Sequence, residues 1–177
     1  MLRRTALFVG LSFAASDAGL RPALPAPRPS GISPADSSYV STSRVARGFT
    51  LADNGRTAAL VVSESDYPGV RRAVDDLRAD VERVTGNAPR ILAGESATGS
   101  PVIIGTIGKS PLIDRLVRSG KLDASALSGR WESYVIQVID HPLEGVDRAL
   151  VIAGSDKRGT IYGVYDLSRE IGVSPWY

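Results

Sequence analysis

Cysteine is absent from this chain, which excludes disulfides, thiolate metal sites and a cysteine nucleophile. Histidine occurs once, as His141, beside Pro142 in a stretch of turn composition. One imidazole does not make a typical zinc site, so no metal is expected. It also gives a serine triad little support. Gly94-Glu95-Ser96-Ala97-Thr98 approaches the glycine-framed turn that presents a nucleophilic serine, but Thr98 stands where glycine is required. His141 therefore reads as a solvated turn residue. Aromatic side chains make up 6% of the chain, and Trp131, Trp176 and Tyr177 are the large candidates for a stacking platform. An excess of one charge is missing too. The formal net charge is +2, and Arg3 and Arg4 supply it; without residues 1–16, 19 basic residues meet 19 acidic ones. No basic face is implied, so nucleic acid is not an expected partner.

What is present begins with an address. Leu2-Arg3-Arg4 precedes an apolar run, Thr5 to Ala15, which ends on the small residues Ala14-Ala15-Ser16. A basic start, an apolar middle and a small-residue boundary are the layout of an export signal. The run is too short to cross a bilayer as a helix. Residues 1–16 are expected to be removed, leaving a secreted or periplasmic protein with no membrane contact. The competing reading is a strand or helix at the edge of the domain. Residues 17–44, rich in Pro, Ala and Ser, lack a periodic apolar face and predict a loose tether.

Residues 45–174 carry the pattern of one folded domain. Phe49-Thr50-Leu51 and Ala58 to Val62 predict strands around the Asn54-Gly55 turn. Pro68 opens a helix whose apolar positions, Val70, Val74, Leu77, Val81 and Val84, recur at three and four residues, and Gly86-Asn87 closes it. Arg90-Ile91-Leu92 and Val102-Ile103-Ile104 predict buried strands, and Pro111 to Val117 a second helix. Tyr134 to Ile139 and Ala149 to Ala153 predict a hairpin around His141 to Gly145. Lys157 to Ile171 predicts a last helix with Ile161, Val164, Tyr165 and Ile171 near one face. Strand-helix-strand units mixed with a hairpin predict an α/β (α+β) domain, a mixed sheet flanked by helices.

Three groups of residues invite a functional reading. Gly105-Thr106-Ile107-Gly108-Lys109-Ser110 lies between a strand and a helix, as a phosphate loop does. That loop needs a glycine at position 103, where the chain has Ile103, so the stretch reads as a tight turn with Ser110 capping the helix. Asp75, Asp76, Asp80 and Glu82 lie mostly opposite the apolar stripe of their helix and read as solvated surface. Asp156-Lys157-Arg158 is the strongest candidate. It follows the carboxyl end of a buried strand and opens a helix, where ligands of open α/β sheets bind and where unpaired amides and cations favour an anion.

Val102 to Gly108, Arg130-Trp131-Glu132-Ser133-Tyr134, Gly154 to Gly163 and Gly172-Val173-Ser174-Pro175-Trp176-Tyr177, taken in this order and spacing, resemble the amino-terminal domain of glycoside hydrolase family 115, the xylan alpha-1,2-glucuronidases. The resemblance spans about residues 45–177. It implies an accessory domain that precedes a TIM-like barrel carrying the catalytic centre, a barrel this chain does not contain. Residues 175–177 would begin the next domain. The implied activity is removal of (4-O-methyl)glucuronic acid from glucuronoxylan without a cofactor. The implied partners are glucuronoxylan or its oligosaccharides and the barrel domain. The catalytic residues would lie outside this chain. Asp156, Lys157, Arg158, Glu170 and Trp176 would edge the uronate pocket as substrate-binding residues. The rival reading is a non-catalytic module that binds a polysaccharide or a protein.

Overall fold

A computed structural model of the protein describes residues 7–9, 38–94 and 99–173. The predicted signal boundary, most of the tether, the serine turn at 95–98 and Trp176 with Tyr177 lie outside the described residues. The elements are Leu7–Val9 (β1), Val40–Ser41 (β2), Phe49–Asp53 (β3), Arg56–Thr57 (β4), Leu60–Val62 (β5), Pro68–Thr85 (α1), Ile91–Ala93 (β6), Val102–Thr106 (β7), Pro111–Arg118 (α2), Tyr134–Asp140 (β8), Arg148–Gly154 (β9) and Lys157–Glu170 (α3).

The main sheet has the order β6-β5-β7-β9-β8. The first four strands are parallel, and β8 runs antiparallel to β9 from Tyr134 opposite Gly154 to Asp140 opposite Arg148. This is the expected mixed sheet flanked by helices, and the sheet does not close into a barrel. Parallel strands covered on both faces read as unbroken apolar runs, and Val102, Ile103, Ile104 and Ala149 to Ala153 are all buried. Alternation divides them. Leu60, Val62, Val102, Ile104, Leu150 and Ile152 face α1 and α3, while Val61, Ile103 and Val151 face α2 through Leu112, Ile113 and Leu116.

A smaller antiparallel sheet, β2-β1-β3-β4, extends the first core through Val9, Phe49 and Leu51. It corrects one strand boundary. The Asn54-Gly55 turn joins β3 to the two-residue β4, and Leu60–Val62 leaves that hairpin for the main sheet. Ala58 to Val62 is therefore not one strand. The apolar amino-terminal run contributes β1, which lies between β2 and β3. Tyr39 and β2, within the segment assigned to the tether, belong to the fold; the Tyr39 hydroxyl donates to Asp166 at 3.1 Å.

Helix α1 matches its predicted stripe, with Val70, Val74, Leu77 and Val81 buried and Gly86 in the left-handed conformation at its end. Two other expectations change. Tyr165 lies on the exposed face of α3, and the buried face is made by Gly159, Thr160, Gly163, Val164, Leu167 and Ser168. Ser110 occupies the capping position of α2, but its Oγ makes no cap bond and is buried without a partner. A Cβ at Gly105 would stand 2.4 Å from the Ser110 Cβ. Close packing of the turn on β7 turns the hydroxyl away from the amides it would cap.

Candidate functional site

In an open α/β sheet the natural crevice lies outside the carboxyl ends of strands where consecutive connections leave in opposite directions. Here that point falls between β5 and β7, because the chain passes from β5 to β6 on one side and then to β7 on the other. A carboxylate fills it. Asp66, 3% exposed, accepts from the Thr106 amide at 2.7 Å, the Thr106 hydroxyl at 2.9 Å and the Tyr67 amide at 2.8 Å. Thr106 Oγ1 also lies 2.8 Å from Thr160 Oγ1, at the start of α3. In the next turn the Gly108 amide donates to Asp114 at 2.8 Å. Amides that a phosphate loop would offer to an anion are spent on internal carboxylates, which agrees with the missing glycine at position 103. The sequence reading overlooked Asp66; its place two residues before the helix-opening Pro68, just after a buried strand, was the available signal.

The open cleft lies one strand further along. It holds about 530 Å³ between Tyr67, the loop 129–132 and the β9–α3 turn Ser155 to Arg158. Asp156 builds its floor. One carboxylate oxygen accepts from the Gly159 amide at 2.8 Å and caps α3; the other accepts from the Glu132 amide at 2.7 Å and ties down the loop. Those two amides, the Glu132 one first, hold its carboxyl below the ordinary aspartate range. Asp156 thus has both oxygens engaged before any ligand arrives.

Arg158 pairs with Glu132 at 2.8 Å and donates to the Tyr162 hydroxyl at 2.9 Å. Lys157 and Arg130 line the same cleft, exposed and without an acidic partner among the described residues. Trp131 stands at its rim, 87% exposed. Asp156, Lys157 and Arg158 all line this cleft. The structure adds Arg130, Trp131, Glu132 and Tyr67 to them. It separates Glu170, which lies thirteen residues along α3 from Lys157, about 20 Å at 1.5 Å per residue, paired with Arg169 at 3.4 Å.

The glycines of the block 154–163 have packing reasons. A Cβ would meet the Thr160 amide at 2.2 Å from Gly154, the Ser133 carbonyl at 2.2 Å from Gly159, and the side chains of Ile152 and Tyr134 at 2.8 and 3.0 Å from Gly163. They let α3 lie directly on β8, β9 and the loop that enters β8. Near its far end, burial first and then the Asp166 carboxylate push the phenols of Tyr39 and Tyr134 up, and the Tyr39 hydroxyl donates to Asp166. His141 is an exposed turn residue with φ of 47°. Among the described residues no three His, Asp or Glu side chains gather as a metal site, and no helix is long and apolar enough to cross a membrane.

An α/β domain with a loop-built cleft at the carboxyl ends of its strands is the class that these features define. Among solved structures it is similar to a family GH115 4-O-methyl-alpha-glucuronidase with specificity for decorated arabinogalactans. The TM-score is 0.53 and the identity 33%, over 67% of this chain and 14% of that enzyme. The likeness is that of one domain within a much longer chain. No protein-family model matches the sequence, and no curated protein matches it.

Proposed function

We infer that this chain is the amino-terminal accessory domain of an exported alpha-glucuronidase, and that its cleft edges the pocket in which a uronic acid side chain of a plant polysaccharide is held. The observation that carries the reading is the pair of exposed cations, Arg130 and Lys157, beside the amino terminus of α3. A carboxylate that enters there meets two charges without acidic partners among the described residues and a favourable helix dipole, with Trp131 available to cover a sugar ring. Glycoside hydrolysis generally needs two carboxyl groups about one bond, roughly 5–10 Å apart. In the cleft Asp156 is spent on backbone amides and Glu132 on Arg158. Bond cleavage therefore belongs to a following domain, and this one supports and edges the site. Glucuronoxylan is the substrate that the sequence resemblance favours; the solved relative's arabinogalactan specificity makes that polymer the second to try.

Residues 1–177 alone and the protein extended through its following domains should be assayed on uronate-bearing xylan oligosaccharides and on decorated arabinogalactan. The extended protein is expected to release uronic acid and the shorter chain none. Lys157→Ala and Arg130→Ala in the extended protein should raise KM with little change in melting temperature. Release by residues 1–177 alone, or full kinetic indifference to both substitutions, would overturn the assignment.

A further inference from the structure

We propose that the face formed by Tyr134, Tyr162 and Tyr165 is a second carbohydrate site, which stacks the neutral main chain of a plant polysaccharide and is separate from the cationic cleft.

The sequence holds few aromatics, but the fold gathers them. Among the described residues the exposed large hydrophobic side chains are Val45, Trp131, Tyr134, Tyr162 and Tyr165. Every aromatic one lies on α3, β8 or the loop that enters β8. The three tyrosines share a shallow groove of about 230 Å³ with Asp166 and Arg169. Their rings are held before any ligand arrives. The Tyr165 hydroxyl donates to Asp76 on α1 at 2.8 Å, and the Tyr162 hydroxyl accepts from Arg158 at 2.9 Å. The Tyr134 ring lies over Gly163, where a Cβ would come within 3.0 Å of it. Fixed rings lose little freedom on binding.

The chemistry of the rim selects the occupant. An aromatic face is electron-rich, and the C–H face of a sugar ring presents weakly positive hydrogens to it. Arg169, exposed beside the groove and held by Asp166, offers its remaining guanidinium N–H groups to sugar hydroxyls. Around the groove the acids Asp76, Asp80, Glu132, Asp166 and Glu170 outnumber the bases Arg72, Arg158 and Arg169, with Arg158 paired to Glu132 and Arg169 to Asp166 and Glu170. That balance repels a polyanion and accepts a neutral chain. The inference rests on the polysaccharide reading above for the polymer's source, but not on the uronate cleft.

The test is calorimetric titration of residues 1–177 with xylohexaose and with linear galacto-oligosaccharide, both free of uronate, and with polygalacturonate as the anionic probe. Binding of a neutral oligosaccharide that depends on the tyrosines is expected, whereas any polygalacturonate binding should depend on Arg130 and Lys157 in the cleft and be indifferent to the tyrosines. Tyr162→Ala and Tyr165→Ala should each weaken neutral binding by about three- to tenfold, the equilibrium equivalent of one aromatic contact. Tyr165→Phe should retain binding, because the ring stays, and Lys157→Ala should leave it unchanged. Thermal melts of each variant separate lost binding from lost folding. Absence of neutral-glycan binding, or binding indifferent to both alanine variants in folded protein, would overturn the proposal. So would a variant-sensitive dimer in sedimentation without glycan binding, which would make the face an interface between copies. Failure of the uronate reading would show instead in the extended protein's hydrolysis of short branched oligosaccharides.

Discussion

Replacing Gly159 by alanine tests whether the glycine-framed block around α3 is there for packing. Alanine is the better helix former, by up to about 1 kcal/mol in a helix interior, so propensity alone predicts stabilisation. Sterics predict the opposite. The new Cβ would stand 2.2 Å from the Ser133 carbonyl oxygen and 2.9 Å from the Ser133 carbonyl carbon and amide nitrogen, all backbone atoms with no rotamer to change. That backbone is pinned: Ser133 accepts from the Ser155 amide at 2.9 Å, and its own amide donates to Ser155 Oγ at 3.1 Å. Relief requires α3 to lift from the sheet or the 131–133 loop to move. Overpacking costs about 1–3 kcal/mol, and each hydrogen bond lost in the movement about 1 kcal/mol more. Net destabilisation should be about 2–4 kcal/mol after the propensity gain, a fall in Tm of roughly 5–12 °C for a domain of this size.

Gly69→Ala is the matched control. Gly69 also sits in the first turn of a helix, but its nearest foreign atom would be the Ile161 Cδ1 at 3.4 Å, the movable tip of a side chain. That variant should match the parent or melt slightly higher. Circular dichroism melts and urea midpoints read both. If Gly159→Ala melts within about a degree of the control, helix α3 does not lie on Ser133 as described, and the packing account of the block fails.

Three further outcomes follow from the same structure. Asp156→Ala removes a cap and a loop tie, and should cost about 1–2 kcal/mol in urea unfolding, with the cleft loop more open to proteolysis. Because the two amides depress the folded Asp156 pKa below its unfolded value, its contribution is complete above the unfolded value and is lost as pH falls through the folded one; Asp156→Asn should flatten that part of the acid limb of stability. Asp66→Ala strands the Thr106 and Tyr67 amides, while the Thr106 hydroxyl keeps Thr160 as a partner, and should cost roughly 2 kcal/mol or more, whereas an equally stable variant would deny the crevice its closing role. Exported protein should begin near Asp17 and would then lack β1, leaving unpaired the edge of β3 that Leu7–Val9 covers; amino-terminal sequencing that returns Met1 would refute removal.

The elements of this fold were legible where local chemistry dictates them. Pro68 with its valine and leucine stripe and Gly86 specify α1 within the segment itself, and the buried runs at 102–104 and 149–153 announce central strands. Partnership between distant segments was not legible. Nothing in Ala58 to Val62 says that the chain changes sheets halfway, because both sheets reward the same apolar residues. Tyr165 reads as core by spacing and as surface by its hydroxyl; Asp76, 89 residues earlier, decides for the surface. The candidate site divides in the same way. Asp156-Lys157-Arg158 was visible as a turn between a strand and a helix, while Arg130 and Trp131 joined it only through the Glu132 amide bound to Asp156.

The position of the cleft follows from the closing of another. Topology favours the ends of β5 and β7 for a ligand, yet Asp66 joins those ends and takes the Thr106 amide that an anion would need. A carboxylate fixed there repels anions and rigidifies the two loops; Ser65 adds to the second effect with a 2.8 Å bond to the Lys109 carbonyl. The amino terminus of α3 then rests on a fixed base through Thr160 and Thr106. Lys157 at that helix end and Arg130 on the neighbouring loop are exposed to solvent, with no acidic partner among the described residues. A domain that had to bind a nucleotide would keep the switch point open and glycine-lined. On the proposed reading, a domain that lends two cations to a pocket completed elsewhere needs the opposite, a closed crevice beneath a firmly seated helix end, and the Asp66-Thr106-Thr160 chain provides such a base.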